Sequence, residues 1–158
     1  MSVTMQQVLA EIDRDEPDYS VFPGLGTEAL PHLQLIVEAN DGLRAAKAAY
    51  AASLIAGPGG LDVLTKAAEH ADPQVRVAVA HGLRNATGAA GLGAATATPN
   101  DLLERLLSDG DDGVRKIALG TTVVLGRSDL SDKIASIAAD DPVEFLRDAA
   151  TSAARKLG

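Results

Sequence analysis

Apolar residues recur at every third or fourth position along most of the chain, and short turns rich in Asp, Gly and Pro separate these stretches. Leu33 and Val37, and likewise Leu103 and Leu107, are four residues apart, which places each pair on one face of an α-helix. The run 121–125 has the composition of a strand, but it falls in phase inside such a helical pattern. The pattern therefore predicts an all-α protein.

The predicted helices repeat along the sequence. Each of four segments has an apolar helical stretch, a short acidic turn, and a second helix that opens with an apolar residue followed by an arginine. These arginines are Arg44, Arg76, Arg115 and Arg147, at separations of 32, 39 and 32 residues. The longer interval contains 86–100, a stretch rich in Gly, Ala and Thr that we interpret as a loop insertion. A common period that is broken once by a loop indicates stacked two-helix units.

The repeats define the predicted domain organisation. Their predicted spans are 27–57, 58–88, 98–126 and 128–158. The acidic segment 1–26 precedes them and comprises an amphipathic helix over 2–14 and a loop rich in Pro and Gly over 15–26. An end repeat needs a cap, because it buries its surface only against a neighbour. The candidates for that cap are Tyr19, Val21 and Phe22.

Capping residues indicate where the second helices begin. Asp72 precedes Pro73, so a capping side chain stands before a proline at the first helical position. Asp141 and Glu144 fit a capping box, with Asp at the N-cap and Glu at the third helical position. Because Asp141 lies two residues further from its arginine than Asp72 does, the last second helix is predicted to begin about half a turn early.

Two faces are predicted on each second helix, with positions counted from its arginine. Position −1 and positions +2 and +10 are apolar and form the predicted buried stripe. Positions +1, +5 and +8 are predicted to face away from it, and they hold Ala45, Ala49, Ala52, Val77, His81, Arg84, Lys116, Gly120, Val123, Asp148, Ser152 and Arg155. The candidate partner-binding residues among these are Val77, His81, Arg84, Lys116, Val123 and Arg155.

The charge distribution argues against nucleic acid as the partner. The chain has 158 residues and a net charge of −8, whereas non-specific DNA and RNA binders are usually basic. Aromatic residues make up only 3% of the chain, and single-strand binders need such rings for base stacking. The acidity is uneven, since residues 1–28 hold six acids and one base, while the repeats are close to balanced.

Residues with catalytic or metal-binding chemistry form no convincing pattern. The absence of cysteine excludes disulfides, Cys-ligated metals and thiol nucleophiles. His32, His70 and His81 do not fall at metal-ligand spacing on one helix. The acidic cluster 109–113 lacks the Gly and Glu that an EF-hand loop places at its positions 6 and 12. The glycines of 88–93 lack the following Gly-Lys of a phosphate-binding loop. We therefore predict no catalytic site, no metal and no cofactor.

The sequence also lacks membrane and secretion signals. No apolar run reaches the roughly 18 residues that a transmembrane helix needs. The first residues have neither the basic region nor the apolar region of a secretory signal. We expect a cytoplasmic protein that does not contact a membrane.

The two-helix units resemble HEAT-like repeats, in particular the short bacterial kind also found in phycobilin lyases. The motifs that carry the resemblance are Ala29-Leu30-Pro31 with Leu33, Asp72-Pro73-Gln74-Val75-Arg76 with Ala78, Asp111 with Val114 and Arg115, and, less fully, Leu146-Arg147 with Ala149 and Ala150. The resemblance covers 27–158. It implies a short right-handed α-solenoid of about four repeats, in which the second helices line a concave surface.

The same resemblance implies roles for the recurring charges and for the concave face. In such repeats a ladder of Asp and Arg links neighbouring units, and its members here would be Arg44, Asp72, Arg76, Asp111, Arg115 and Arg147. The family mostly supplies binding surfaces. We therefore expect a non-catalytic adaptor, assembly factor or regulatory subunit that binds an acidic or amphipathic segment of a partner protein. The alternatives are a phycobilin-lyase-like chromophore or cofactor chaperone and, less favoured, a DNA-binding relative of the HEAT-like glycosylases.

Overall fold

The computed structural model describes residues 2–86 and 99–158, and every regular element in these two ranges is a helix. The all-α prediction is therefore confirmed, and the run 121–125 lies at the end of a helix as expected. The α-helices are α1 (Met5–Ile12), α2 (Phe22–Leu25), α3 (Leu30–Ala39), α4 (Gly42–Ala52), α5 (Pro58–Ala67), α6 (Pro73–Ala86), α7 (Pro99–Leu107), α8 (Asp112–Val124), α9 (Ser131–Asp140) and α10 (Glu144–Leu157). Short 3₁₀ turns occupy Tyr19–Val21, Gly26–Ala29 and Ser128–Leu130. No helix among the described residues is long and apolar enough to cross a membrane.

The helices pack in pairs that are consecutive in the chain. α3 packs on α4, α5 on α6, α7 on α8, and α9 on α10. The second helix of each pair also contacts the second helix of the next pair, in the order α4, α6, α8 and α10. Contacts also join the first helices α3 and α5, and the first helices α7 and α9. The loop insertion predicted over 86–100 falls mostly on residues outside the described ranges.

Contacts at matching positions show that neighbouring second helices run in the same direction. Near the start of α6, Arg76 binds Asp109, which lies shortly before α8. Towards the other end of α6, Arg84 donates from Nε to Thr121 Oγ1, in the later part of α8, over 2.9 Å. The same agreement holds between α4 and α6, where the hydrogen-bonded positions are Gly42 with Asp72 and Ser53 with Asn85.

The N-terminal segment covers the first helix pair. Thr4 and Gln7 form a capping box at the start of α1, which packs against α3 and α4 through the buried side chains of Val8 and Ile12. The predicted loop over 15–26 contains short helical turns instead, because the Asp18 side chain accepts the backbone N–H of Ser20 and starts a 3₁₀ turn. The side chain of Phe22 is fully buried in the core that these turns join.

Helix α4 is buried on more sides than its sequence predicts. Ala45, Ala49 and Ala52 were expected on an exposed face, but all three are fully buried. Leu43, which was assigned to the buried stripe, is 56% exposed. The reason is that α4 packs against α1, α3, α5 and α6 at once, and its small alanine side chains allow each neighbour a close approach.

The last second helix begins in the same register as α6 and α8. α10 begins at Glu144, three residues before its arginine, just as α8 begins at Asp112, three residues before Arg115. The predicted early start and capping box are therefore wrong. The N-cap is Val143, because the carboxylate of Asp141 accepts the backbone N–H of Val143 and two hydrogen bonds from Arg115.

Candidate functional site

Two arginines form a ladder of ion pairs between neighbouring units. Arg76 donates from Nε and Nη2 to the two carboxylate oxygens of Asp109 over 2.8 and 3.0 Å. Arg115 binds Asp141 in the same way over 2.9 and 3.1 Å. Each arginine also donates from Nη1 to the carbonyl oxygen six residues before it. Its guanidinium therefore connects the turn before its own helix with the acid of the next unit. We call these two ion pairs the arginine ladder.

The acids of the arginine ladder are not the predicted ones. Asp72 and Asp111 were expected as members of a ladder that links neighbouring units, but neither forms an ion pair with an arginine of the ladder. Their carboxylates cap the starts of α6 and α8 by accepting backbone N–H groups, and Asp72 also accepts the N–H of Gly42 at the start of α4. The ladder instead uses Asp109 and Asp141, each six residues before the arginine of its unit. Burial alone raises the pKa of both carboxyls, but hydrogen bonds from the arginines and from backbone N–H groups leave each pKa below its ordinary value.

The first junction departs from this pattern because His70 occupies the ladder acid's position. Its Nδ1 accepts the backbone N–H of Asp72 over 3.0 Å, and its Nε2 lies 2.9 Å from the carbonyl oxygen of Asn40. These two partners assign the proton of a neutral ring to Nε2. Arg44 binds Asp13 at the end of α1 instead, over 2.6 and 2.8 Å, and the hydrogen bond from Arg44 is the main cause of the lowered pKa of Asp13.

The last arginine of the series has no carboxylate partner in the part of the chain that the structure describes. Arg147 repeats the hydrogen bond from Nη1 to the carbonyl oxygen six residues before it, that of Asp141, over 2.6 Å. Within the two described ranges, its Nε and Nη2 meet no carboxylate. All four predicted arginines therefore lie at starts of second helices, but only two of them join consecutive units through an ion pair.

A groove with a positive rim lies across α6, α8 and α10. Its volume is about 360 Å³. Leu119, Val123 and Ala149 are among the apolar residues of its floor, and Arg84, Lys116 and Lys156 supply the charges. We call this feature the cationic groove. In the described part of the chain, none of its three cations forms an ion pair.

The cation at the α6 side of the cationic groove is held in place. Nε of Arg84 donates to the hydroxyl of Thr121, which is fully buried and in turn donates to the carbonyl oxygen of Ala80 over 2.7 Å. The guanidinium lies over Gly120, where an added Cβ would stand only 2.9 Å from Nη2. On α8, the ammonium of Lys116 lies 5.7 Å from the ring centre of Phe145.

A second cavity, of about 320 Å³, opens between α4 and α6, and its residue His81 is three positions before Arg84 of the cationic groove on α6. Its lining residues are Tyr19, Leu43, Ala46, Lys47, Tyr50, Gln74, Val77, Ala78 and His81. Tyr19 meets Tyr50 edge-on with ring centres 4.9 Å apart. Partial burial, with the charge of Arg84 as a second cause, lowers the pKa of His81 and favours its neutral ring. We call this feature the aromatic cavity and the face that carries both features the second-helix face.

No protein-family model, curated protein or solved structure matches this chain. Interpretation of the second-helix face therefore depends on its own geometry. No group of three or more His, Asp or Glu side chains that suits a metal ion occurs among the residues that the structure describes.

The structure divides the predicted partner-binding residues between three places. Val77 and His81 line the aromatic cavity, whereas Arg84, Lys116 and Val123 line the cationic groove. Arg155 lies elsewhere, beside the alanines of α9 and α10. Lys156, which the sequence interpretation missed, takes its place in the groove, because α10 presents positions +2, +5, +6 and +9 to the groove.

Proposed function

We propose that this chain is a HEAT-like α-solenoid of four two-helix units that acts as a non-catalytic protein-interaction module. Its second-helix face binds an acidic or amphipathic segment of a partner protein. The parallel second helices, the paired first helices and the recurrence of Arg76 and Arg115 in one arrangement support the solenoid assignment. On this proposal the second-helix face is the concave surface of the solenoid.

The cationic groove is the observation that carries the proposed function. Arg84, Lys116 and Lys156 converge on it in a chain whose net charge is −8, and acids pair with other arginines but not with these three within the described residues. A carboxylate that enters the groove gains charge-assisted hydrogen bonds without displacing an internal partner. Complementary charge of this kind speeds association and selects partners.

The groove also has the composition of a peptide-binding surface. Its floor consists of small and branched apolar side chains, which bury surface when a partner's side chains cover them. Arg84 is fixed by Thr121, so the conformational entropy that it loses on binding is reduced. A segment with carboxylates on one side and apolar residues on the other meets both requirements of this surface.

Selection from a library of random 16-residue peptides on the immobilised protein tests the proposed function. We expect the enriched peptides to be acidic and to bind less tightly as salt rises, because screening weakens exposed charge pairs. A Lys116→Glu, Lys156→Glu variant should lose at least tenfold in affinity for them. The matched control is a Lys66→Glu, Lys133→Glu variant, which makes the same change in net charge on α5 and α9. Equal losses in the two variants, or enrichment without acidic residues, would contradict the proposal.

A further inference from the structure

We propose that the aromatic cavity receives one large apolar side chain of the same segment whose carboxylates enter the cationic groove. The partner segment is then bipartite, with an apolar anchor seated between α4 and α6 and acidic residues over α8 and α10. This inference depends on the proposed function, since it identifies the chemistry of the segment that binds there.

The two features form one continuous surface because α6 contributes to both. Val77 and His81 of α6 line the aromatic cavity, and Arg84 of the same helix lines the cationic groove. These three residues are spaced by four and three positions, so they lie on one face of α6. A single segment that crosses α6 therefore contacts both features.

The end of this surface at α4 and α6 suits a neutral apolar group. Leu43 is 56% exposed there and lies beside Tyr50 and Val77, both partly buried, so apolar surface is left for a ligand to cover. The one lysine in the lining, Lys47, already donates to the carbonyl oxygen of Arg14 over 2.7 Å. The available positive charge thus lies at the α8 and α10 end, and the apolar surface lies at the other.

The size and position of the aromatic cavity set the dimensions of the segment. Its volume of about 320 Å³ is at the small end of ligand sites, which span roughly 300–1,000 Å³, and this favours a single side chain. The cavity lies between α4 and α6, and the groove is centred between α8 and α10. Two helix spacings of about 8–10 Å therefore separate the two centres. An extended peptide of roughly 3.3 Å per residue covers that distance in about five or six residues.

Peptides selected from the random 16-residue library provide the test. We expect the acidic binders to share a Leu, Ile, Phe, Tyr or Trp about five or six residues from their acids if they bind extended, and replacement of that residue by Ala to weaken binding about 10- to 100-fold. Leu43→Gln should cause a similar loss in the protein. Combining Leu43→Gln with the peptide that has Ala in place of its apolar residue should weaken binding little more than either change alone, because the two side chains contact each other.

The control variant is Leu35→Gln, since Leu35 is 54% exposed and lies on α3, outside both features. Circular dichroism of both glutamine variants checks that they fold. If Leu43→Gln binds like the wild type while Lys116→Glu, Lys156→Glu abolishes binding, the proposal that the aromatic cavity receives an apolar side chain is wrong and the proposed function stands. If neither variant changes binding, or no peptide is enriched, both proposals fail.

Discussion

Arg115 and Asp141 join α8 to the turn before α10 through two hydrogen bonds of 2.9 and 3.1 Å, and only 9% and 8% of their surfaces are exposed. The removal of one member leaves the other charge buried without its partner, which is costly. Arg147 occupies the same position in the next unit, but its side chain makes only the hydrogen bond to a carbonyl oxygen within residues 2–86 and 99–158. A comparison of Arg115 with Arg147 therefore separates the contribution of the ion pair to stability from that of the hydrogen bond to the carbonyl oxygen.

We expect Arg115→Ala to lower the free energy of unfolding by about 3–5 kcal/mol, as for other buried pairs that lose one member. Arg147→Ala should lower it by about 1–2 kcal/mol, since it removes one charge-assisted hydrogen bond. Urea unfolding of both variants measures the difference. Equal losses would show that the carboxylate contributes nothing beyond the hydrogen bond to the carbonyl oxygen.

The arginine ladder also predicts how stability depends on pH. The pKa values of Asp109 and Asp141 lie below the ordinary value of 3.8 in the folded chain, so the unfolded chain binds protons first as the pH falls. The stability from these pairs is complete above the unfolded pKa of 3.8 and is lost as the pH falls through the lower folded pKa values. Urea unfolding at neutral pH and below pH 3.8 should show this loss.

The control for the pH prediction is Asp141→Asn, which removes one of the two titrating carboxyls. Its free energy of unfolding at neutral pH should be lower than that of the wild type, and it should fall by a smaller amount on acidification. A variant whose stability falls as steeply as that of the wild type would rule out Asp141 as a source of the acid sensitivity.

The sequence predicts the helices well because their signals are local. Apolar spacing and the Asp-Pro pair placed α6 correctly, whereas the Asp-Pro pair at Asp141 predicted too early a start for α10. The burial of α4 on several sides was not predictable in the same way. Ala45, Ala49 and Ala52 have small apolar side chains that are compatible with either face, so only the packing of four neighbouring helices buries them.

The pairing of charges across repeats also escaped local reasoning. Asp109 and Asp111 stand in one turn, and either is a plausible partner for an arginine 33 or 35 residues earlier. The backbone decides between them, since Asp111 is the extended N-cap residue and its carboxylate accepts the N–H of Val114. Comparison of the units does contain a signal, because position −6 from the arginine is acidic in every unit except that of His70.

Two glycines inside helices should respond in opposite ways to substitution by alanine. At Gly82, an added Cβ would lie 2.9 Å from Cβ of Ser53 and 3.3 Å from Cδ2 of Leu64, so α4, α5 and α6 must move apart. We expect Gly82→Ala to cost about 1–3 kcal/mol of unfolding free energy. Gly120→Ala meets only Nη2 of Arg84, at the end of a side chain whose hydrogen bond to Thr121 is made by Nε, so it should gain up to about 1 kcal/mol from helix propensity.

Thermal unfolding of the two glycine variants gives the comparison directly, because both residues lie inside helices and both substitutions add one methyl group. A stabilised Gly82→Ala protein would show that α4 and α6 are not held in close contact there. A strongly destabilised Gly120→Ala protein would show that the guanidinium of Arg84 cannot move aside.

The N-terminal segment should contribute to stability through Phe22. This side chain is fully buried among core residues that include Val8 and Leu33, whereas Phe145 on α10 is 47% exposed. We expect Phe22→Ala to lower the free energy of unfolding by about 3–5 kcal/mol, because it leaves a cavity in the core. Phe145→Ala removes the same side chain from the surface, where its contact with Lys116 is worth about 0.5–1 kcal/mol.

Urea unfolding of Phe22→Ala and Phe145→Ala, monitored by far-ultraviolet circular dichroism, tests whether the N-terminal segment stabilises the first helix pair. If the N-terminal segment caps the first helix pair, the Phe22 variant unfolds at a lower urea concentration in a transition that includes the whole chain. Loss of the cap exposes α3 and α4, the two helices against which α1 packs, and so weakens the core that they share with the rest of the chain. Equal midpoints for the two variants would mean that the first pair is stable without Phe22 and that the N-terminal segment contributes little to the fold.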